Sequence, residues 1–349
     1  MTADEQFASL SDPALLAMRD GHVARLARLF AGADDGDRAF VLCGVEHWLD
    51  GARSRNPRED VALGLRALAA QADRLRDEVV FRPLTLECSF YGVHFVDKIF
   101  GADVFDRDGS WQVRLLPQPV GQLEPPDLAR NPTWRRAQEI AEAFVGFSRP
   151  VPFFGLPTIA SALNVGVNLF GQELLAALLT EPEAARHDLH AIHATLCALH
   201  RWYRETIPAA QLQPVVGSYR TQPPGFGQLC GCTTHLLSAR QYRDLIAPLD
   251  AELLGQYPNG GMIHLCGLHL QHIPVWRDMK VLRAIQVNDR AADDLEPYWH
   301  GLRDDQVIYV NPTPHMTVDR ILRATGGRRV VIVSEIRDEA QVRKRRAAP

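Results

Sequence analysis

One stretch decides the fold prediction: Gly260-Gly261-Met262-Ile263-His264-Leu265-Cys266-Gly267. It is apolar apart from His264 and Cys266, which stand two positions apart. In an extended strand, residues i and i+2 point to the same face, so an imidazole and a thiol would lie side by side. Gly267 then ends the strand and lets the chain turn into a helix. The pattern predicts a pair of metal ligands at the carboxyl end of a strand.

Similar apolar runs recur along the chain and alternate with stretches of helical spacing. Continuous apolar runs are typical of parallel strands that are buried on both faces. Strands are predicted at 38–45, 82–90, 151–156, 214–232, 261–266, 282–287, 307–310 and 330–333. Helices are predicted at 12–30, 57–76, 133–145, 169–179, 182–206, 238–256, 268–279, 293–302 and 316–325.

This alternation predicts an α/β fold, a single (β/α)8 TIM barrel domain that spans 1–349. A helical extension at 1–35 precedes the barrel, an insertion near 101–130 interrupts it, and a basic tail at 338–349 follows it. A doubly wound open sheet is the alternative fold. We favour the barrel because the phosphate-binding glycine turn expected after the first strand of a Rossmann fold is absent, and because about eight strands suit a closed ring.

Composition argues against several functional classes. The chain has 349 residues, 46% of them hydrophobic, which is enough for the core of one large domain. Its net charge is −4 and long basic runs are missing, so neither nucleic acid nor an anionic membrane is predicted as a partner. Without a signal-peptide pattern at the start, or an apolar run of roughly 20 residues, we expect a cytoplasmic protein. It could be a monomer or a homodimer.

Polar residues follow or close most of the predicted strands. In TIM barrels the active site lies at the carboxyl ends of the strands, so these residues are expected at one mouth. They are Glu46, His47, Glu87, Cys88, Cys230, Cys232, His264, Cys266, Asn288, Asp289, Asn311, Ser334 and Glu335. Polar residues collect wherever strands end, so a structural role is the alternative for each one.

Cysteine placement strengthens the metal prediction. Cys230 and Cys232 end the element before the helix that leads to His264 and Cys266, so neighbouring strands would bring up to three thiols and an imidazole together. Thiolates combined with imidazole select zinc among common cytosolic metals. Six cysteines in a long cytosolic chain are otherwise expected to be free thiols, and the alternative for these is a small buried hydrophobic side chain.

One helix carries a second set of potential ligands. His190, His193, Cys197 and His200 recur at helical spacing within 182–206. We expect this helix to pack beside the barrel through its leucine face, with Cys197 in the core, rather than to present a ligand stripe.

The strand-end motif His264-Leu265-Cys266-Gly267 resembles the uroporphyrinogen decarboxylase superfamily. Segments 25–45, 98–104 and 237–248 are similar to other parts of that superfamily. The decarboxylases carry an Arg-Gln-Ala-Gly-Arg stretch after the first strand, where this chain reads Cys-Gly-Val-Glu-His-Trp at 43–48. The chain instead resembles the superfamily's zinc-dependent methyltransferases, such as the methylcobamide:coenzyme M type, and more distantly cobalamin-independent methionine synthase.

The resemblance implies a zinc site formed by a His, a Cys and a later Cys at the last strand. This chain has no cysteine after Cys266, so the third ligand is expected from Glu335, Cys230 or Cys232. The implied reaction moves a methyl group from a methyl-corrinoid, carried on a partner protein, or from another carrier, to a small thiol activated by Zn2+.

Substrate orientation is assigned to Asp289, Glu87 and Tyr219. Three alternatives stay open for the function. They are a metal-independent lyase acting on a polycarboxylate, a closed structural zinc site with four ligands, and a barrel that only binds a corrinoid or tetrapyrrole.

Overall fold

The computed structural model describes residues 7–33, 39–214 and 217–333. Its strands are β1 Phe40–Leu42, β2 Val45–Asp50, β3 Val80–Phe81, β4 Leu84–Ser89, β5 Val104–Arg107, β6 Ser110–Val113, β7 Phe153–Gly155, β8 Leu212–Gln213, β9 Gly227–Cys230, β10 Gly261–Cys266, β11 Leu282–Asn288, β12 Val307–Val310 and β13 Val330–Val333.

The helices lie between these strands, as the alternation predicts. They are α1 Pro13–Phe30, α2 Pro57–Ala69, α3 Phe95–Ile99, α4 Pro132–Gly146, α5 Ala162–Phe170, α6 Gln172–Thr180, α7 Pro182–Thr206, α8 Ala239–Gln241, α9 Ala247–Gly255, α10 Ile273–Asp278, α11 Asp289–Asp293, α12 Leu295–Gly301 and α13 Val318–Thr325. A π-helical turn, Tyr242–Ile246, joins α8 to α9. Among the described helices none can span a membrane by itself, although the bent pair α5 and α6 meets the length and composition test jointly.

Two parallel sheets hold most of the strands. One has the order β3-β1-β13-β12-β11-β10-β9 and the other the order β2-β4-β7-β8. The parallel α/β class is therefore confirmed. The strands β12 and β13 are buried throughout, as expected for parallel strands that are covered on both faces.

The two sheets share two chain segments. A bend at 43–44 joins β1 to β2, and a bend at 82–83 joins β3 to β4. Backbone hydrogen bonds link the two segments through both bends. The Cys43 amide donates to the Phe81 carbonyl at 2.9 Å, and the Val45 amide donates to the Pro83 carbonyl at 3.1 Å. Strand pairing nevertheless gives two sheets and not one closed ring, so the eight-stranded barrel stays a prediction.

On the other side, two glutamines connect β8 to β9. Gln213 donates to the Gln222 carbonyl at 3.0 Å and accepts from the Gln222 amide at the same distance. Gln222 donates in turn to the Gly227 carbonyl at 3.0 Å. This side-chain bridge spans the 13 residues that separate the two strands, 214–226.

Several predicted bounds were wrong. The first predicted strand, 38–45, continues as β2 to Asp50, so Glu46 and His47 lie inside a strand because their backbones pair with Thr85 and Leu86. Within the predicted strand 214–232, only β9 is extended after residue 217, and a 3-10 helix begins at Cys232. The predicted helix 268–279 is split into a 3-10 turn and α10.

The first predicted helix and the predicted insertion both lie within the described residues. Helix α1 begins as expected, with the Asp12 carboxylate accepting a hydrogen bond from the Ala14 amide at 2.8 Å. The predicted insertion contains β5 and β6, which form an antiparallel hairpin. The predicted basic tail, 338–349, lies outside the described residues.

Replacing Gly261 with alanine is expected to destabilise the protein by about 1–3 kcal/mol. A Cβ at this position would lie 2.4 Å from the carbonyl oxygen of Gly227, and backbone cannot move aside cheaply. The free energy of unfolding from urea titration measures the effect. Gly21→Ala is the matched control, because Gly21 sits in helix α1 with open space around it, and alanine there should stabilise by about 0.5–1 kcal/mol. Equal stability of Gly261→Ala and wild type would contradict this packing.

Candidate metal centre

Strand β10 holds His264 and Cys266 between two neighbouring strands. His264 lies opposite Cys230 of β9 on one side and opposite Gln286 of β11 on the other. His264 is 5% exposed, while Cys266, at the end of the strand, is half-buried. Gly267 follows with a φ of 86°, a conformation that glycine adopts without strain. The strand thus ends where its two polar side chains can meet groups from the next loops.

Three potential ligands meet at this point. The Cys232 sulfur, the Cys266 sulfur and one ring nitrogen of His264 all lie within 4.8 Å of one another. The Cys266 sulfur is 3.2 Å from His264 Nε2. Cys232 comes from the first turn of the 3-10 helix that follows β9, a position that the alternation of side chains along a strand does not describe. The third member of the group is therefore a cysteine from the neighbouring loop.

Cys230 is placed differently. Its backbone pairs with His264, and the residue lines a small cavity together with Leu156 and Gln228. Cys230 is not part of the three-ligand group formed within residues 217–333. Geometry thus separates the two cysteines that the sequence left as equal alternatives.

An amide from the adjacent strand orients His264. The Nδ1 atom of His264 is hydrogen-bonded to the Oε1 atom of Gln286, and the Gln286 amide group donates to Asn311. Because Oε1 can only accept, the ring proton is on Nδ1 and Nε2 carries a lone pair. That lone pair faces the Cys266 sulfur. An outer partner of this kind is what a metal-binding imidazole usually has.

The protonation states suit a cation. A hydrogen bond from the Cys232 thiol lowers the pKa of Cys266 to about 4, although burial opposes the change. The same hydrogen bond, together with burial, raises the pKa of Cys232. Burial and then the charge of Arg220 lower the pKa of His264, so the imidazole is neutral. The group therefore presents one thiolate, one thiol and one neutral imidazole.

Arg220 connects this group to a second set of polar residues. Its Nη2 atom lies 3.5 Å from His264 Nε2, and its guanidinium stacks 4.9 Å from the centre of the Tyr219 ring. The side chain is 6% exposed, and its Nε atom has no hydrogen-bond partner among the described residues. A buried positive charge thus stands directly beside the three potential ligands.

Glu87 is the most deeply buried acid near Arg220. It is 0% exposed, and burial followed by the nearby charge of Glu46 raises its pKa well above the usual value. The Gly217 amide approaches the carboxylate without the geometry of a normal hydrogen bond. Glu46 itself accepts bonds from the amide and hydroxyl of Ser218, both at 2.9 Å. The surroundings of Glu87 therefore favour its protonated form.

The remaining predicted site residues fall into separate places. Tyr219 is half-buried, and burial raises its pKa. Asp289 is exposed at the start of α11, with a φ of 47°, one residue beyond the position paired with Cys266. Ser334 and Glu335 lie outside the described residues, so Glu335 as a ligand stays a prediction.

Sequence reasoning missed Gln286 and Arg220. A single amide within the apolar run 282–287 was a weak signal for Gln286. Its role depends on the register of β10 against β11, which the sequence does not state. Nothing in the stretch around Arg220 marks it as a neighbour of His264, because 44 residues separate the two in the chain.

Comparisons with known proteins support the fold. No family model matches the chain, and no curated protein matches its sequence. A methyltransferase from Methanosarcina mazei has a similar structure, with a TM-score of 0.62 over 93% of this chain and 98% of that chain. The two sequences are 12% identical, so the similarity concerns the fold alone.

Glu87→Gln is expected to change how stability depends on pH. The folded protein holds the Glu87 proton above its ordinary pKa of 4.5, so unfolding releases a proton and wild-type stability falls as pH rises past that value. The amide has no proton to lose. As pH rises above 4.5, the free energy of unfolding of the variant therefore increases relative to wild type by up to about 1.4 kcal/mol per pH unit. Urea unfolding at pH 5 and pH 8 measures the difference. The exposed Glu142→Gln serves as the control, and a Glu87→Gln difference that is the same at both pH values would contradict the assignment.

Proposed function

We propose that the chain is a zinc-dependent methyltransferase in which Cys232, His264 and Cys266 hold the metal and a small thiol accepts the methyl group. One observation carries the proposal, the convergence of two sulfurs and one imidazole nitrogen within 4.8 Å. The fold similarity to a methyltransferase and the resemblance of the His-x-Cys-Gly motif are consistent with it.

The donor set fits zinc. Imidazole and thiolate together are the ligands that zinc prefers, and catalytic zinc sites use three protein ligands and keep one position open. Cys266 and Cys232 are both half-buried, which leaves a side from which a small molecule can approach. When bound, zinc supplies Lewis acidity that lowers the pKa of a thiol at the open position.

The protein's own groups would then arrange the reactants. Gln286 keeps the Nε2 lone pair of His264 directed at the site. Arg220, buried beside His264, favours an acceptor that arrives with negative charge. In the reaction the acceptor thiol gives up its proton to solvent, its sulfur forms a bond to the methyl carbon, and the carrier leaves with the electron pair of the broken bond. Glu87, Tyr219 and Asp289 keep their proposed role in orienting the substrate.

The methyl donor is proposed to be a methyl-corrinoid on a partner protein or a similar carrier. This part of the proposal rests on the family resemblance of 264–267.

We also infer that the two sheets are parts of one (β/α)8 barrel. Three observations support closure: the ladder continues through the bends at 43–44 and 82–83, the Gln213 and Gln222 bridge joins β8 to β9, and a known methyltransferase shares the fold over nearly its full length. In such a barrel, β4, β9, β10 and β11 would direct their carboxyl ends to the same mouth.

A closed structural zinc site is the main competing function. It needs a fourth protein ligand, for which the sequence offered Cys230. The position of Cys230 at the small cavity, outside the three-ligand group, favours an open site.

Cys232→Ala is expected to lower the zinc content of the reconstituted protein by about one ion per chain, because it removes one of three ligands. Cys230→Ala is the matched control and should keep the wild-type content. Elemental analysis after chelation, reloading with zinc and desalting measures both. If Cys230→Ala loses the ion and Cys232→Ala keeps it, the assignment of the third ligand is wrong.

Cobalt in place of zinc tests the open position. Adding an alkyl thiol to the cobalt-loaded protein should change its visible absorption, and the change should vanish in Cys266→Ala. With methylcobalamin as donor, the zinc-loaded protein should form the methyl thioether. The rate of methyl transfer should be at least about 100-fold lower in Cys266→Ala. A metal spectrum that ignores the thiol would identify a closed structural site. A response to the thiol with no methyl transfer, from free methylcobalamin or from any corrinoid protein supplied, would reject the corrinoid donor.

Gln286→Leu is expected to weaken zinc binding by about 10–100-fold, because the leucine cannot fix the proton on Nδ1 of His264. Competition with a chromophoric chelator measures the affinity. Gln228→Leu is the control, since Gln228 is also a buried strand glutamine but its amide has no hydrogen-bond partner among the described residues. Equal affinities of the two variants would show that Gln286 does not position the imidazole.

A further inference from the structure

A second cluster of metal-capable groups lies on helices α7 and α9. His193 and Cys197 stand one turn apart on α7, and Glu252 comes from α9. One ligand atom from each of the three residues lies within 4.8 Å of the other two. The sequence pattern placed His193 and Cys197 on one helix face but contained no sign that an acid from another helix would join them.

The distances suit a single small cation. His193 Nε2 is 3.2 Å from Glu252 Oε2 and 3.4 Å from the Cys197 sulfur. With the usual bond lengths to zinc, a tetrahedral ion separates a nitrogen and an oxygen ligand by roughly 3.4 Å and a nitrogen and a sulfur ligand by roughly 3.6 Å. Binding would therefore need shifts of only a few tenths of an ångström. The group is close to the arrangement of a metal site before any rearrangement.

One ring nitrogen of His193 faces two potential partners at once. The carboxylate of Glu252 and the sulfur of Cys197 both approach Nε2 of His193, and that nitrogen has either one proton to donate or one lone pair to offer. A cation at the centre would accept a lone pair from all three atoms at once.

A neighbouring amide supplies a second, independent observation. Gln256, one helical turn beyond Glu252, has its side chain hydrogen-bonded to Cys197. Its Oε1 atom is buried and has no hydrogen-bond partner among the described residues. An unpartnered buried oxygen of this kind is costly unless something binds to it, and here it can serve as a fourth ligand.

Burial around the cluster fits a site at the surface with a protected floor. His193 is 5% and Cys197 is 6% exposed, whereas the Glu252 side chain is 69% exposed. Glu252 therefore forms the solvent-facing side of the cluster.

We propose that His193, Cys197 and Glu252 form a second zinc site, separate from the one on β10, which fastens helix α7 to helix α9. The set of one imidazole, one thiolate and one carboxylate favours zinc, with cobalt as a substitute, over magnesium or calcium. Zinc binding would join α7 to α9, the helix that precedes β10, and so would stabilise the packing next to the strand that carries His264 and Cys266.

Zinc stoichiometry distinguishes the two sites. After chelation, reloading with zinc and desalting, wild type should hold about two ions per chain, while Cys197→Ala and Cys266→Ala should each hold about one and the double variant close to none. Cys43→Ala controls for the loss of a buried thiol outside both clusters. Wild-type zinc content in Cys197→Ala would overturn the proposal.

Glu252→Ala provides a variant at an exposed position, where folding is not at risk. Its zinc affinity at the second site should fall at least about tenfold, measured by chelator competition in a Cys266→Ala background. Unchanged affinity would reject Glu252 as a ligand and with it the proposed site. Cys197→Ala should keep the thiol-dependent cobalt spectrum of the first site. Zinc stoichiometry therefore tests the second site, and the cobalt spectrum tests the methyltransferase proposal separately.

Discussion

The parallel pairing of β10 with β9 on one side and β11 on the other is the constraint on which the rest of the centre depends. Each residue of β10 acquires fixed neighbours from this register, with Cys230 and Gln286 opposite His264. Gly261 favours this pairing, because a Cβ there would lie 2.4 Å from the carbonyl oxygen of Gly227, its partner at the start of the ladder. A shift of one residue would turn His264 and Cys266 together to the other face of the sheet, away from Cys232 and Gln286.

The protonation states of Cys232, His264 and Cys266 determine what this centre can bind. Lone pairs on the Cys266 sulfur and on His264 Nε2 face each other, and the Cys232 thiol donates its proton to Cys266. Arg220 adds a buried positive charge beside them. At Glu87, burial and then the charge of Glu46 raise the pKa. The sulfur and imidazole group therefore offers lone pairs to a cation, whereas the surroundings of Glu87 disfavour a negative charge on that carboxyl group.

The two clusters of potential metal ligands are assembled by different secondary structures. On β10 the i, i+2 spacing of a strand places two ligands on one face, and a loop adds the third. On α7 the i, i+4 spacing of a helix does so, and a second helix adds the acid. In both cases the residue that completes the set comes from a distant part of the sequence, and packing brings it into place.

The sequence by itself determined the parallel α/β class, most of the helices, and the pair His264 and Cys266, because hydrophobic periodicity and strand geometry are local properties. It left Cys230, Cys232 and Glu335 as equal candidates for the third ligand, and it treated Cys197 as a core residue. Only the tertiary structure separated Cys232 from Cys230, and it did so because β9 ends at Cys230 and the next turn redirects the chain. Gln286, Arg220 and Glu252 likewise gain their roles from register and helix packing, which depend on contacts between residues far apart in the chain and therefore leave no local pattern to read.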